Sequence, residues 1–176
     1  MKEYVILVDP EDQPVGRMEK MEAHEKGELH RAFSVFLFNE QGETLLQQRA
    51  SGKYHSPLLW TNTCCSHPRV GETILEAAKR RVQEELGIHP AHIEDLRPAF
   101  HFIYRAAFEN GLIEHELDHV LMGTFQGTCA LNRDEVADVA WITLPNLFKD
   151  IALNPARYTA WFKIILVEYA KHLPTR

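Results

Sequence analysis

An α/β (α+β) fold, one mixed sheet flanked by helices, is what this sequence predicts, and three observations predict it. Short apolar runs at Tyr4–Val8, Arg31–Asn39 and Val136–Thr143 are bounded by turn residues, as strands are. One segment, Ile74–Leu86, carries apolar residues at helical spacing between a start signal and a stop signal. Two further apolar stretches, Pro98–Phe108 and Leu112–Phe125, flank Glu109-Asn-Gly111, a strong hairpin signal.

The first strand, Tyr4-Val-Ile-Leu-Val8, is closed by the turn-rich Asp9-Pro-Glu-Asp12. The second, RAFSVFLFN over Arg31–Asn39, turns at Asn39-Glu-Gln-Gly42 and is expected to return as its antiparallel partner, Glu43–Arg49. A loop over Ala50–Leu58 leads into Trp60-Thr-Asn-Thr-Cys-Cys-Ser-His-Pro68. In the helix that follows, Thr73 and Glu76 form a T-x-x-E capping box and Gly87 suits a left-handed stop. Ile74, Ala78, Val82 and Leu86 recur every four residues and give it one buried stripe. A last helix is expected over Pro155–Leu173, carrying Tyr158, Trp161, Ile165 and Tyr169.

The 176 residues fit one domain, over 1–176, with no internal repeat, low-complexity tract or Gly/Ser linker. A hydrophobic fraction of 45% and a charged fraction of 25% are ordinary for a globular chain. The net charge of −6 argues against a nucleic-acid binder, so an anionic partner needs a local nest of Lys and Arg or a metal ion. No apolar run is long enough to span a bilayer and the amino-terminal stretch is no signal peptide, which predicts no membrane partner and a cytoplasmic setting. Three cysteines, Cys64, Cys65 and Cys129, are expected to be reduced there.

Several residues could carry chemistry. His24 and His30 flank a polar turn ahead of the first long strand, and His67 lies two residues from Cys65. Glu114 and Glu116, two apart on a strand, point to one face. Together these are an N/O set suited to Zn²⁺, Mn²⁺ or Fe²⁺ rather than Ca²⁺. Taken alone, the strand pattern favours reading the two carboxylates as a wet face. Alternation also separates Cys64 from Cys65 and His67, and a cationic site beside Cys65 would give it thiolate character. Cys129 has no polar company and reads as structural. On the helix, Glu72, Arg80, Glu84, Glu85 and Gly87 stand at E-x7-R-x3-E-E-x-G spacing. Ion pairs four apart, Arg80 with Glu84 and Arg81 with Glu85, are worth only about 0.2–0.5 kcal/mol each, so helix stability scarcely demands the pattern. A carboxylate-held divalent cation that in turn holds a diphosphate accounts for it better.

At these residues the chain resembles the type I isopentenyl diphosphate isomerases, a branch of the Nudix superfamily, from about Tyr4 to the last helix. WTNTCCSHP is similar to the bacterial form of the family's pattern, in which Cys, a small residue, His and Pro follow W-T-N-x-x. That match makes Cys65, not Cys64, the reactive cysteine. The resemblance further implies that His24, His30, His67, Glu114 and Glu116 bind Mn²⁺ or Zn²⁺, and that Glu85 holds the Mg²⁺ accompanying the diphosphate. It implies that Lys20, Arg49, Lys53 and Arg81 hold the diphosphate, and that Tyr104 and Trp161 face the hydrocarbon end.

The general Nudix box reads G-x5-E-x7-R-E-U-x-E-E-x-G-U, with U aliphatic. Here Ser66 replaces the first Gly and Arg81 replaces the Glu after Arg80. A carboxylate that hydrolases use at their metal is thus a cation, which favours gripping a diphosphate over cleaving it. The isomerase branch shows the same departure. The resemblance implies a tertiary carbocation, with Cys65 and Glu116 as the acid–base pair on opposite faces of the allyl unit, Tyr104 assisting Glu116 and Trp161 facing the cation. Which of the pair protonates stays open. A pyrophosphohydrolase and a non-catalytic binding domain rank behind this reading, and the expected assembly is a monomer or weak dimer.

Overall fold

The computed structural model describes residues 1–172. Nine strands form one mixed sheet: β1 (Tyr4–Val8), β2 (Pro14–Glu19), β3 (His30–Phe38), β4 (Glu43–Arg49), β5 (Trp60–Thr61), β6 (Cys64–Ser66), β7 (Ile93–Ala107), β8 (Ile113–Phe125) and β9 (Val136–Thr143). Four helices accompany it: α1 (Lys20–Lys26), α2 (Ile74–Leu86), α3 (Leu144–Leu153) and α4 (Ala160–His172). The predicted α/β class with a mixed sheet between helices is the observed one.

Strand β3 organises the sheet. It pairs in parallel with β8 along its whole length, from His30 opposite Glu116 to Phe38 opposite Thr124. On its other side it meets β1 at a single pair and β6 at three, Phe33–Ser66, Ser34–Cys65 and Val35–Cys64. Alternation along β3 then sorts side chains by face. Phe33, Val35 and Leu37 join Ala77, Ala78, Val82 and Leu86 of α2 in one core layer. Phe36 joins Trp161, Phe162, Ile165 and Leu166 of α4 in the other.

Helix α2 has the predicted bounds. Thr73 and Glu76 exchange capping bonds, and Gly87 takes φ +65° with its N–H on the Gln83 carbonyl. An added Cβ at Gly87 would lie 2.4 Å from the Ala130 carbonyl oxygen, so both conformation and space require glycine there.

Several expectations need correcting. Strand β4 touches β3 at one pair, Phe38–Thr44, and instead pairs along its length with β9, from Glu43–Thr143 to Arg49–Val136. The edge of β3 that a simple hairpin would use is taken by β6. The hairpin strand β7 begins at Ile93 rather than Pro98, because register shifts around Glu94–Arg97 and Pro98–Phe100 let the strand continue through Pro98. Pro155–Arg157 is a separate 3₁₀ turn, α4 starts at Ala160, and Leu173 lies outside the described residues. The reading missed β2, α3 and the seven-residue α1, which is too short to show a helical period. No helix among the described residues is long and apolar enough to cross a membrane.

Candidate active site

The pocket is lined by residues from both α2 and α4 and from distant parts of the chain. These include Lys20, Arg49, Lys53 and Arg81; Cys65 and His67; Glu85, Glu114 and Glu116; and Tyr104 and Trp161. Nearly every predicted site residue therefore lines one cavity. His24 and His30 stand behind it, with ring centroids 5.7 and 5.0 Å from that of His67.

Four residues converge on a point. One ligand atom from each of His24, His30, His67 and Glu116 lies within 4.8 Å of the others. His24 sits on α1 with Nδ1 2.7 Å from the Lys20 carbonyl, and His30 opens β3 with Nδ1 2.8 Å from the Glu28 carbonyl. An Nδ1–H donating to a carbonyl leaves the Nε2 lone pair free and aimed inward, the usual arrangement of a metal-binding imidazole. His24 Nε2 is buried with no hydrogen-bond partner. His67 Nε2 is 2.9 Å from Glu116 Oε1 and 3.3 Å from His30 Nε2. These residues fit a divalent cation. Glu114, the fifth residue of the predicted set, lies outside this cluster. The Tyr104 hydroxyl joins it to Glu116, at 2.9 Å from Glu114 Oε2 and 2.7 Å from Glu116 Oε2.

The carboxylates are not a wet face. Glu114 and Glu116 are each 6% exposed, with His55 of the 50–58 loop beside Glu114, His67 beside Glu116 and the Tyr104 hydroxyl bonded to both. Asp118, the next residue on that face, is 1% exposed and was missed, although the same period of two reaches it. Burial favours the acid form of Glu116, but the imidazoles of His30 and His67 outweigh it and hold the group well below the usual carboxylate range. Burial, and then the charge of Glu116, push Glu114 well above that range. Asp118 is raised to about 8 by the same two causes.

Cys65 and Cys64 face opposite ways, as alternation predicts. Cys64 is fully buried in the α2 core, and its Sγ lies 3.3 Å from Glu85 Oε2. The Cys65 thiol donates to Asn62 Oδ1 at 2.9 Å and lies 3.3 Å from Ser34 Oγ, which donates to Asp118 at 2.7 Å. The Asn62 amide nitrogen is itself anchored on the Val35 and Cys64 carbonyls, each at 3.1 Å. This gives the W-T-N stretch a task, which is to aim the thiol. The expected thiolate character is not what the surroundings favour. Burial, and then the Asp118 carboxylate, push the Cys65 thiol far up, so it stays protonated. Cys129 packs against the α2 core, as its sequence surroundings predict.

At the other end of the pocket, each cation has an anchor. Lys20 meets Glu3 at 3.0 Å, Lys53 meets Glu135 at 2.6 Å, and Arg81 meets Glu85 at 2.6 Å. The Arg49 guanidinium stands 5.0 Å over the Trp161 ring. One face of Trp161 thus already has a cation, an arrangement the sequence does not reveal. His55, Tyr54 and Glu135 also line the pocket and were missed, because a loop has no periodicity to read. Burial, and then the charge of Arg49, lower His55 to about 3 and keep its ring neutral.

Six buried side-chain nitrogen or oxygen atoms lack partners among the described residues, and they mark this site. Four belong to pocket-lining Arg49, His55, Arg81 and Trp161, and the other two to His24 and Asp118, packed behind that lining. Buried polar groups without a partner call for an explanation, and a bound water, ion or ligand is one.

A Nudix domain model matches residues 28–162. The isopentenyl-diphosphate Delta-isomerase of Burkholderia multivorans is 49% identical over 166 residues, which cover 94% of this chain and 92% of that protein. The chain belongs to the isopentenyl-diphosphate Delta-isomerase branch of the Nudix family. Its counterpart in Aliivibrio fischeri (strain MJ11) is 45% identical over 177 residues, covering 98% of each chain. Solved structures agree on the fold. DR0079 from Deinococcus radiodurans aligns at a TM-score of 0.75 and 23% identity, over 93% of this chain and 97% of that one. A MutT protein from Methanosarcina mazei aligns at 0.64 and 18%, over 84% and 96%. Members of this family are enzymes, and a small-molecule diphosphate is a substrate consistent with it.

Proposed function

We propose that this chain converts isopentenyl diphosphate to dimethylallyl diphosphate by adding a proton at one carbon and removing one from another. The observation that carries the reading is the meeting of Cys65, Glu116 and Tyr104 in one buried pocket with four anchored cations. An unactivated alkene is a poor base, so the acid must be strong and the surroundings dry.

In this reading Arg49, Arg81, Lys20 and Lys53 hold the diphosphate, and Trp161 walls the hydrocarbon end. The proton enters at the terminal methylene, the π electrons form the new C–H bond, and a tertiary cation is left at the branched carbon. Loss of a proton from the carbon nearer the diphosphate restores the alkene and balances the charge. Cys65 and Glu116 serve these two steps from opposite faces, with Tyr104 assisting Glu116 through the hydrogen bond from its hydroxyl. The pocket also excludes water, which would otherwise trap the cation. His24, His30, His67 and Glu116, with Glu114 beside them, would hold Mn²⁺ or Zn²⁺, and Glu85 would hold Mg²⁺ with the diphosphate. Such ions supply charge neutralisation and positioning. The same reading takes residues 1–176 as one isomerase domain, in a cytoplasmic monomer or weak dimer that needs neither nucleic acid nor membrane.

Proton NMR of isopentenyl diphosphate in D₂O, with the purified protein, Mg²⁺ and Mn²⁺ or Zn²⁺, tests it. Dimethylallyl diphosphate carrying deuterium is the expected product. Release of phosphate or a monophosphate instead would identify a hydrolase and overturn the reading.

A further inference from the structure

Glu135 lines the pocket among its cations, although a carboxylate there repels a bound diphosphate. It stands in a turn just ahead of β9, and the backbone pins that turn on both sides. The Asn132 N–H donates to the Glu85 carbonyl near the end of α2 at 3.0 Å. The Glu135 and Val136 N–H groups donate to the Asn132 carbonyl at 3.0 and 2.9 Å. The Glu135 carbonyl accepts from the Ala50 N–H at 3.0 Å, where the 50–58 loop leaves β4. The loop then turns back, with the Lys53 N–H 3.3 Å from the Ala50 carbonyl, and sets the Lys53 ammonium 2.6 Å from Glu135 Oε2. One residue thus holds the start of the loop with its backbone and the loop's cation with its side chain.

The same carboxylate oxygen lies 3.6 Å from Arg81 Nη2. Among the described residues, Glu135 is the only carboxylate paired with two cations of this pocket, one on a loop and one on α2. The partners differ in freedom. Glu135 rises from a pinned turn, whereas Lys53 carries its charge on a flexible four-carbon stem, in a loop that is neither helix nor strand. A lysine left free in such a loop is ordered only when the ligand arrives, and that ordering subtracts from affinity.

We propose that Glu135 is a positioning residue for the diphosphate end of the pocket: it holds the Lys53 ammonium in place, beside the Arg81 guanidinium, before the ligand arrives. This rests on the reading in which these cations grip a diphosphate. Its sign separates it from a simple counter-ion. A counter-ion competes with the ligand, so deleting it tightens binding, whereas deleting a brace weakens binding.

Titration calorimetry of inorganic diphosphate into the full chain, loaded with Zn²⁺, with and without Mg²⁺, tests it. Glu135→Ala should weaken binding about tenfold under both conditions, the scale of one long side chain ordered on binding. Glu135→Gln keeps an oxygen to accept from the ammonium and should lose less than about threefold. In a Lys53→Ala background the Glu135→Ala change should also cost less than about threefold, because the cation being held is gone. With isopentenyl diphosphate, Glu135→Ala should raise KM about tenfold and change kcat less than about threefold. Should the Ala protein not fold, the sign of the Gln change still decides. Tighter binding in either variant, a loss confined to Mg²⁺, or an undiminished loss in the Lys53→Ala background would overturn the proposal alone. No binding of diphosphate by the wild type would overturn the reading of the site, and the proposal with it.

Discussion

The guanidinium of Arg81 lies 2.6 Å from Glu85 Oε1, one turn along α2, at the position where the general Nudix box has a second carboxylate. Glu85 Oε2 is also occupied, by the Gln47 amide at 2.9 Å and the Cys64 thiol at 3.3 Å. Glu85 therefore faces the pocket with little free acceptor capacity. A cation placed there must draw most of its ligands from elsewhere, and Mg²⁺ ordinarily takes them from phosphates and water.

Mg²⁺ should therefore bind weakly to the protein alone and tightly once inorganic diphosphate is added. Isothermal titration with and without diphosphate checks this. Glu85→Gln should remove the diphosphate-dependent uptake while leaving Zn²⁺ binding in place. Tight Mg²⁺ binding in the absence of diphosphate would contradict the arrangement.

Cys65→Ala and Glu116→Gln should each lower isomerisation by at least about 10²–10⁴-fold, the usual contribution of a positioned acid or base. Circular dichroism should show both variants folded. A Cys65→Ala protein that keeps its rate would remove the thiol from the mechanism.

His24→Ala should cost the protein its transition-metal affinity, since His24 Nε2 is the open, buried member of the four-residue cluster. Zn²⁺ at 1,000 times its Kd stabilises a one-site protein by about 4 kcal/mol. Wild-type Tm should therefore fall when a chelator strips the metal, and the variant's should not. Equal metal content in the two proteins would place the cation elsewhere.

Asp118→Asn should change how stability varies with pH in the metal-free protein. Asp118 is raised to about 8 in the fold, by burial and then by Glu116, from 3.8 when unperturbed. Between those values the native state keeps a proton that the unfolded chain has lost. Its contribution is thus fully present below about 4 and is lost as pH rises toward 8, by up to about 1.4 kcal/mol per pH unit. His55 and His67, lowered to about 3 and 4 chiefly by burial, act in the opposite sense, which flattens the wild-type profile. The difference between variant and wild type isolates Asp118, and the Asn protein should gain relative stability steadily from pH 5 to 8. Urea unfolding at four pH values measures it, and a constant difference would show that Asp118 is already ionised.

Gly87→Ala should destabilise the fold by at least about 2 kcal/mol, from left-handed backbone strain and the clash with Ala130. Thr73→Ala at the other end of α2 should cost about 1 kcal/mol by deleting the cap. Denaturant midpoints rank the two, and a milder Gly87→Ala would mean that the 130 region yields easily.

Much of this protein follows from local pattern. The bounds of α2, its cap and its stop come from residues that act within one turn of the chain. The bounds of β1, β4 and β9 come from short-range alternation and turn chemistry in the same way. The separation of Cys64 from Cys65 needs only the period of two. The spacing from Ser66 to Ile88 identifies the family, because it records which side chains one helix and its approach present together.

What only the tertiary structure decided is register and burial. The parallel pairing of β3 with β8 sets His30 opposite Glu116, and a slip of one residue would have sent the carboxylates to the opposite face. The pairing of β6 with β3 sets Cys65 beside Ser34 and, through it, Asp118. Packing turned a strand face that reads as wet into a buried one, and placed His55 of the 50–58 loop against Glu114. Local sequence sets which way a side chain can point along its own element. Which distant element it meets, and whether water reaches it there, depends on packing between segments 31 to 86 residues apart, and no short window of the chain contains that information.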